Sequence, residues 1–284
     1  MRDMFASQRR TNTVLDGITY AILGTIILFA LLPILWTVIT SFKAENDIIS
    51  PVLQYFPQRF TFENYETLWR RSSFPKLIAN SAVTSVITVA ICLLFGSFAA
   101  YSVSRYRFPG RTQLLLFFLV SRMFPAVLLL IPLFIMFKTL NLLDSSFGLA
   151  LAYATFLLPL TIWMLKGFFD AIPVDLEDAA RIDGCSRVGT LFRIVLPLAR
   201  SGLVATAVFV AVSAWNEFLL ALMLTTSQGS RTWPVGLQLM VGEFQLPWGQ
   251  LCAGGVISII PIIAFFAFIQ RSLISGLTAG AVKG

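Results

Sequence analysis

Six stretches of this chain are each long and apolar enough to cross the hydrocarbon core of a bilayer: residues 18–39, 79–101, 114–137, 147–165, 203–224 and 251–269. About 20 apolar residues suffice for a helix that rises about 1.5 Å per residue. Within hydrocarbon every backbone donor and acceptor must be satisfied by the chain itself, and a single segment achieves this only as a helix. The expected fold class is therefore all-α, an integral membrane protein of six transmembrane helices, with residues 1–284 as one transmembrane domain. Composition excludes a water-soluble globule, because 57% of residues are hydrophobic and only 12% charged, too few charges to cover the surface. The first apolar run exceeds a signal-peptide core and no small-residue cleavage site follows it, so it reads as a retained anchor.

The formal charge of +7 suggests nucleic acid or anionic lipid when taken alone. Placement favours membrane topology. With the N-terminus inside, the segments facing the cytoplasm carry Arg2, Arg9, Arg10, Arg105, Arg107, Arg111, Lys166, Arg181, Arg187, Arg193, Arg200, Arg271 and Lys283, and basic residues are expected on that side. Lys43, Arg59, Arg70, Arg71 and Lys76 in the first outer loop run against this, but acids accompany them. The expectation is a multi-pass protein with both termini cytoplasmic and no nucleic-acid partner. Cys92, Cys185 and Cys252 stand far apart and the chain has no histidine, so no metal site or disulfide framework is expected.

Between the fourth and fifth runs lies "EDAARIDGCSRVGTLFRIVLPL", residues 177–198, which is rich in acids and arginines. Pro173 suits a helix start, Asp175, Glu177 and Asp178 suit a helix N-terminus, and Gly184 suits a left-handed stop. Ser186 can cap a second helix whose apolar residues Val188, Leu191, Phe192, Val195 and Leu196 recur at helical spacing up to Pro197. Two short helices meeting at a glycine elbow are expected, able to lie on a bilayer, pack under their own bundle, or enter a groove on a soluble partner.

The order Asp178-Ala179-Ala180, Gly184, Ile194, Leu196-Pro197 resembles the EAA signature of permease subunits in binding-protein-dependent ABC importers, and it falls between spans four and five as in that family. Asp178 stands where the signature usually has Glu, an acid one methylene longer. "FPQRFTFENY", "RYRFPGR", "AWNEFLLAL" and "GLTAGAVKG" make the chain similar to MalG-like carbohydrate permeases over nearly its whole length. The resemblance implies a type I importer permease in the inner membrane. Its coupling loop, residues 168–200, would dock on a cytoplasmic ATPase through Glu177, Asp178, Ala179, Ala180, Asp183 and Gly184, with Ile194, Leu196 and Pro197 anchoring the second helix. It also implies a MalF-like second permease, two ATPase subunits, an external solute-binding protein docking on loops 40–76 and 225–248, and a carbohydrate substrate. The chain has no GxxxxGK[ST] loop, so ATP and Mg are expected on the partner ATPase, with no catalytic residue and no cofactor here.

Ionisable and amide groups inside spans are costly unless they face a polar path or a neighbouring helix. Arg122 falls near the middle of the third run, and Trp215, Asn216 and Glu217 fall late in the fifth. These four are candidates for the translocation path or the permease–permease interface, and pairing with neighbouring helices would explain them equally. A standalone secondary carrier or channel would also place polar groups at mid-depth, but it has no use for the elbow.

Overall fold

The computed structural model describes the backbone of residues 2–52, 54–70, 73–242 and 246–281, and the side chains of residues 15–52, 54–70, 73–242 and 246–267. Every regular element among them is a helix: α1 (Arg2–Ser41), α2 (Glu45–Ile48), α3 (Glu63–Arg70), α4 (Phe74–Arg105), α5 (Arg111–Met123), α6 (Ala126–Thr139), α7 (Ser146–Asp170), α8 (Asp175–Ile182), α9 (Arg187–Thr190), α10 (Leu196–Leu198), α11 (Arg200–Trp215), α12 (Leu219–Leu224), α13 (Trp233–Gln238) and α14 (Trp248–Ala281). A π-turn over Leu191–Val195 joins α9 to α10. The chain divides into two compact units, residues 1–70 with 242–257, and residues 71–241 with 258–284.

In the first unit α1 is exposed at every described residue from 15 to 36, a surface that is apolar throughout from Ile26 to Trp36 and suited to lipid or another chain. The stretch after it folds back on its end. Asn64 donates to the carbonyls of Ser41 and Lys43 at 2.9 and 2.8 Å, and Ser41 shares a 2.8 Å hydrogen bond with the Tyr65 hydroxyl. The buried Lys43 ammonium donates to the Gln54 carbonyl and lies 4.6 Å from the centre of the Trp36 ring, so a cation is kept out of water by one acceptor and one π face. Glu45 accepts from the backbone N–H groups of Trp248 and Gly249, which start α14 and lack helical partners.

The second unit is built on α4, α7 and α11. On α4 the buried positions Ser81, Thr84, Ser85, Thr88, Cys92, Gly96, Ser97 and Ala100 recur every three or four residues, so its inward face is a stripe of small side chains. Lipid tails are as apolar as leucine, so helices in a bilayer associate by close backbone approach, which small residues permit. Gly202 of α11 lies so close to the Phe168 ring of α7 that any Cβ would collide with it. One core cluster, with Tyr101, Val103, Leu115, Leu165, Phe169, Leu191 and Val195, lies beneath the elbow. Another holds Phe137, Tyr153, Ala214, Leu220, Leu224 and Val235.

Leu15–Ser41, Phe74–Arg105, Ser146–Asp170 and Trp248–Ala267 are each long and apolar enough to span a bilayer, and two bent pairs, Arg111–Met123 with Ala126–Thr139 and Arg187–Leu198 with Arg200–Trp215, bring the total to as many as six. The third run is not the straight helix that residues 114–137 suggest: α5 and α6 meet at 95°. Pro125 has no N–H and excludes helical backbone at the residue before it, and Phe124 is accordingly extended, with φ −74° and ψ 125°. Residues 203–224 are likewise interrupted, because α11 ends at Trp215 and α12 starts at Leu219. Here the Glu217 carboxylate accepts from the N–H groups of Leu220 and Ala221 at 2.9 and 3.1 Å, capping a new helix start.

At the end of the second unit remote from the elbow, Asp144 fastens the α6–α7 loop to the segment after α12. Its carboxylate accepts from the backbone N–H groups of Thr226 and Ser227 at 2.7 and 2.8 Å, and from the hydroxyls of Thr226 and Ser230. Partial burial pushes this carboxyl up, but the bonds from Ser227, Ser230 and Thr226 outweigh it and hold the group well below the usual carboxylate range. A depressed folded-state pKa contributes stability above the unfolded value, and that contribution is lost as pH falls toward the folded one. The thermal stability gap between the native protein and Asp144→Asn is therefore expected to be widest near neutral pH and to narrow below the ordinary carboxylate range. A gap that stays constant across that range, measured by unfolding midpoints, would contradict the assignment.

Candidate functional site

The elbow occupies residues 171–199, and the end of α4 holds it in place. Helix α8 carries Asp175, Glu177 and Asp178 in its first turn and Arg181 in its last, charges that complement the helix dipole at both ends. Of these acids Glu177 alone turns inward, with 4% of its surface exposed. Its carboxylate accepts from Arg105 Nε at 2.5 Å and from the Tyr101 hydroxyl at 2.7 Å. The same Arg105 guanidinium donates to the carbonyls of Phe169 and Ile172 at 2.8 and 3.0 Å. One arginine on α4 thus ties the end of α7, the turn after it and the first turn of α8. The Arg105 and Glu177 side chains are 9% and 5% exposed, so both charges are desolvated and the pair needs all of its partners.

Helix α8 stops as its sequence suggests. Gly184 sits at φ +88°, its N–H bonds to the Arg181 carbonyl at 3.1 Å, and the Cys185 N–H bonds to the Ala180 carbonyl at 2.9 Å. These two bonds form a Schellman motif, which requires a left-handed residue at the glycine position. Ser186 then caps α9, its hydroxyl accepting from the Gly189 N–H at 3.1 Å. Contrary to a helix ending at Pro197, the second arm continues to Leu198 through the π-turn. A proline ring clashes with the carbonyl four residues back, and a widened turn just before it relieves that clash. Leu191 and Val195 are buried, whereas Val188 and Phe192 are exposed.

No atom lies within 4 Å of a Cβ built on Gly184, so substitution there strains only the backbone. Gly184→Val is expected to destabilise the elbow by about 1–2 kcal/mol. Coupled transport should fall while the amount of chain inserted in membranes stays the same, and unaltered transport would show that the left-handed turn is dispensable.

The remaining signature residues divide by face. Ala180 is buried, while Ala179, Asp183 and Gly184 are exposed. Asp178 is exposed too, and pairs with Arg181 at 3.4 Å. Ile194 and Leu196 are half-buried and Pro197 is exposed. The acid engaged within the chain is therefore Glu177, and Asp178 leaves one carboxylate edge free for another molecule. Sequence reasoning missed Arg105 and Tyr101, which lie about 70 residues upstream, and Ile182, an isoleucine 87% exposed at the tip of α8. A large apolar side chain just before the helix stop was the available signal for Ile182.

The four in-span candidates are not one cluster. Arg122, in the last turn of α5, is exposed and donates to the Phe156 carbonyl of α7 at 3.2 Å. Trp215 is buried and its indole N–H donates to the Ser258 carbonyl of α14 at 3.2 Å. Asn216 is exposed and bonds back to the Val212 carbonyl at 2.9 Å, and Glu217 caps α12.

Residues 92–278 match the family described as the inner membrane component of binding-protein-dependent transport systems. The trehalose transport system permease protein SugB of Mycobacterium tuberculosis is 40% identical over 268 residues, covering 93% of this chain and 97% of that protein. The sulfoquinovosyl glycerol transport system permease protein SmoH of Agrobacterium fabrum is 38% identical over 254 residues, 89% of each chain. The trehalose/maltose transport system permease protein MalG of Thermococcus litoralis is 37% identical over 269 residues, 93% of this chain and 96% of that one. Among solved structures, a chain of a bacterial ABC transporter that imports the acidic polysaccharide alginate has the same fold, with a TM-score of 0.80 at 24% identity, covering 92% of this chain and 97% of that one. An exposed elbow locked to a bundle of apolar helices, together with this likeness along nearly the whole chain, places the protein in the family of inner membrane permease components of binding-protein-dependent ABC importers.

Proposed function

We propose that this chain is one half of the translocation pathway of an ATP-driven carbohydrate importer, and that its elbow transmits the motion of the ATPases to the membrane helices. The carbohydrate class is supported by the names of its relatives, which transport trehalose, sulfoquinovosyl glycerol and trehalose/maltose. The observation that carries the coupling role is the Arg105–Glu177–Tyr101 lock, since a lever must be rigidly held at one end and free at the other. The free end offers Ile182, Asp178 and Asp183, an apolar tip between two carboxylates.

In this reading the basic residues of the elbow and of the α4–α5 turn face the cytoplasm, as do both termini. A MalF-like second permease covers part of the exposed apolar surface of α5 and α6, and lipid covers the rest. Two ATPase subunits hold ATP and Mg, and an external binding protein delivers the sugar to the outer loops. When ATP draws the ATPases together, their differential contacts with the elbow shift the equilibrium between inward-facing and outward-facing states. Arg122 and Asn216 remain candidates for the path or the permease–permease interface, while Trp215 and Glu217 shape the break in the fifth span.

Purification in mild detergent tests this reading. A nucleotide-binding chain in stoichiometric amount, with ATP hydrolysis stimulated by a binding protein and sugar, is the expected result. A chain that purifies alone and transports in vesicles without ATP would establish a secondary carrier instead.

A further inference from the structure

Between the end of α4, the turn into α5 and the elbow lies a cavity of about 300 Å³ with an unusual charge balance. Five guanidiniums line it, from Arg105, Arg107, Arg111, Arg181 and Arg187, against the carboxylates of Glu177 and Asp178. Arg105 and Arg181 pair with those carboxylates, at 2.5 and 3.4 Å, so their charges balance. Ser104 on the wall donates to Asp170, and that acid is neutralised by Lys166. Among the described residues no carboxylate lies within 4 Å of Arg107, Arg111 or Arg187. Arg187 is held at the rim by the Tyr106 ring, its guanidinium carbon 5.2 Å from the ring centre. The wall thus carries a surplus of three positive charges, brought together although they repel.

Guanidinium groups present forked N–H donors whose geometry fits phosphate oxygens. The cavity lies just past the apolar length of α4, and Arg111 opens α5, whose Leu116 and Phe117 are exposed a turn or two further along. In a membrane this is headgroup depth, reachable from the lipid and from the water. We propose that the cavity binds a phosphate oxyanion, carried by an anionic lipid headgroup or by a free phosphate compound. The Arg105–Glu177 pair forms part of the same wall, so occupancy would brace the elbow against α4.

The test uses the full chain with its co-purifying subunits in nanodiscs. Three forms are compared: native, Arg107→Gln/Arg187→Gln, and Arg200→Gln as an exposed basic control outside the cavity. Native mass spectrometry reads retained phosphatidylglycerol, and unfolding midpoints in phosphatidylcholine-only discs are read against added inorganic phosphate. Loss of retained phosphatidylglycerol by about ten-fold or more in the double variant alone identifies a lipid source. A phosphate-dependent rise in midpoint that the double variant lacks identifies a soluble one. The proposal is overturned if the native form shows neither, if Arg200→Gln loses as much as the double variant, or if the double variant instead sheds a protein subunit in phosphate-free neutral discs.

Discussion

Arg105→Met is expected to destabilise the seating of the elbow by about 3–5 kcal/mol and to abolish coupled transport. The substitution removes a guanidinium that makes an ion pair and two carbonyl contacts, and it leaves the Glu177 carboxylate buried without its counter-charge. Glu177→Gln should cost less, because the amide oxygen can still accept from Arg105 Nε and the guanidinium keeps its two carbonyl acceptors. Tyr101→Phe removes one hydrogen bond to a charged acceptor, worth about 1.5–3 kcal/mol. Combining Arg105→Met with Glu177→Leu should recover much of the loss, since an apolar pair of similar volume avoids the desolvation cost altogether. Unfolding midpoints and uptake would be measured in parallel. Native-like uptake by Arg105→Met would mean that the elbow is not held through this arginine.

Ile182→Asp carries the second large expected effect, on association rather than on folding. Ile182 is 87% exposed, so the substitution should leave the isolated chain within about 0.5 kcal/mol of its original stability. At the proposed interface the isoleucine is a central apolar anchor, and losing such an anchor costs about 2 kcal/mol or more, roughly a thirty-fold weaker association with the ATPase subunit. A carboxylate there adds a third negative charge beside Asp178 and Asp183. Ile182→Ala should give a smaller loss in the same direction. Equal co-purification of ATPase with native, Ala and Asp forms would remove Ile182 from the interface.

Reading the chain by period and punctuation succeeded where the determinants are local. The first, second, fourth and sixth apolar runs, a left-handed glycine at 184 and a serine cap at 186 are set by residues within a few positions of one another, and each stands where its neighbours require it. The bend at Phe124–Pro125 was visible as a proline, but hydropathy averages over it and merged two helices into one span. The interruption at 216–218 was hidden for another reason. Asn216 and Glu217 read as in-span polar groups needing a distant partner, whereas both bond to backbone four residues away or fewer, and Glu217 also meets a neighbouring helix, at the Tyr153 side chain of α7. The lock on the elbow was beyond a single sequence, since Arg105 and Glu177 are brought together only when α4 packs against α7. Arg105 counted as one more basic residue near a helix end, and Glu177 as one of three acids in a first turn. Which of them is buried depends on the register of α8 against the bundle, and nothing local sets that register.

In the proposed coupling the tip of the elbow, held at its base by Arg105, touches the ATPase. The most direct measurement places a photo-reactive amino acid at position 182, irradiates intact membranes, and identifies the attached chain with and without ATP. Cross-linking to a nucleotide-binding subunit is expected, with a yield that changes when ATP is bound. Cross-linking only to lipid, or to a chain with no nucleotide-binding domain, would contradict that coupling.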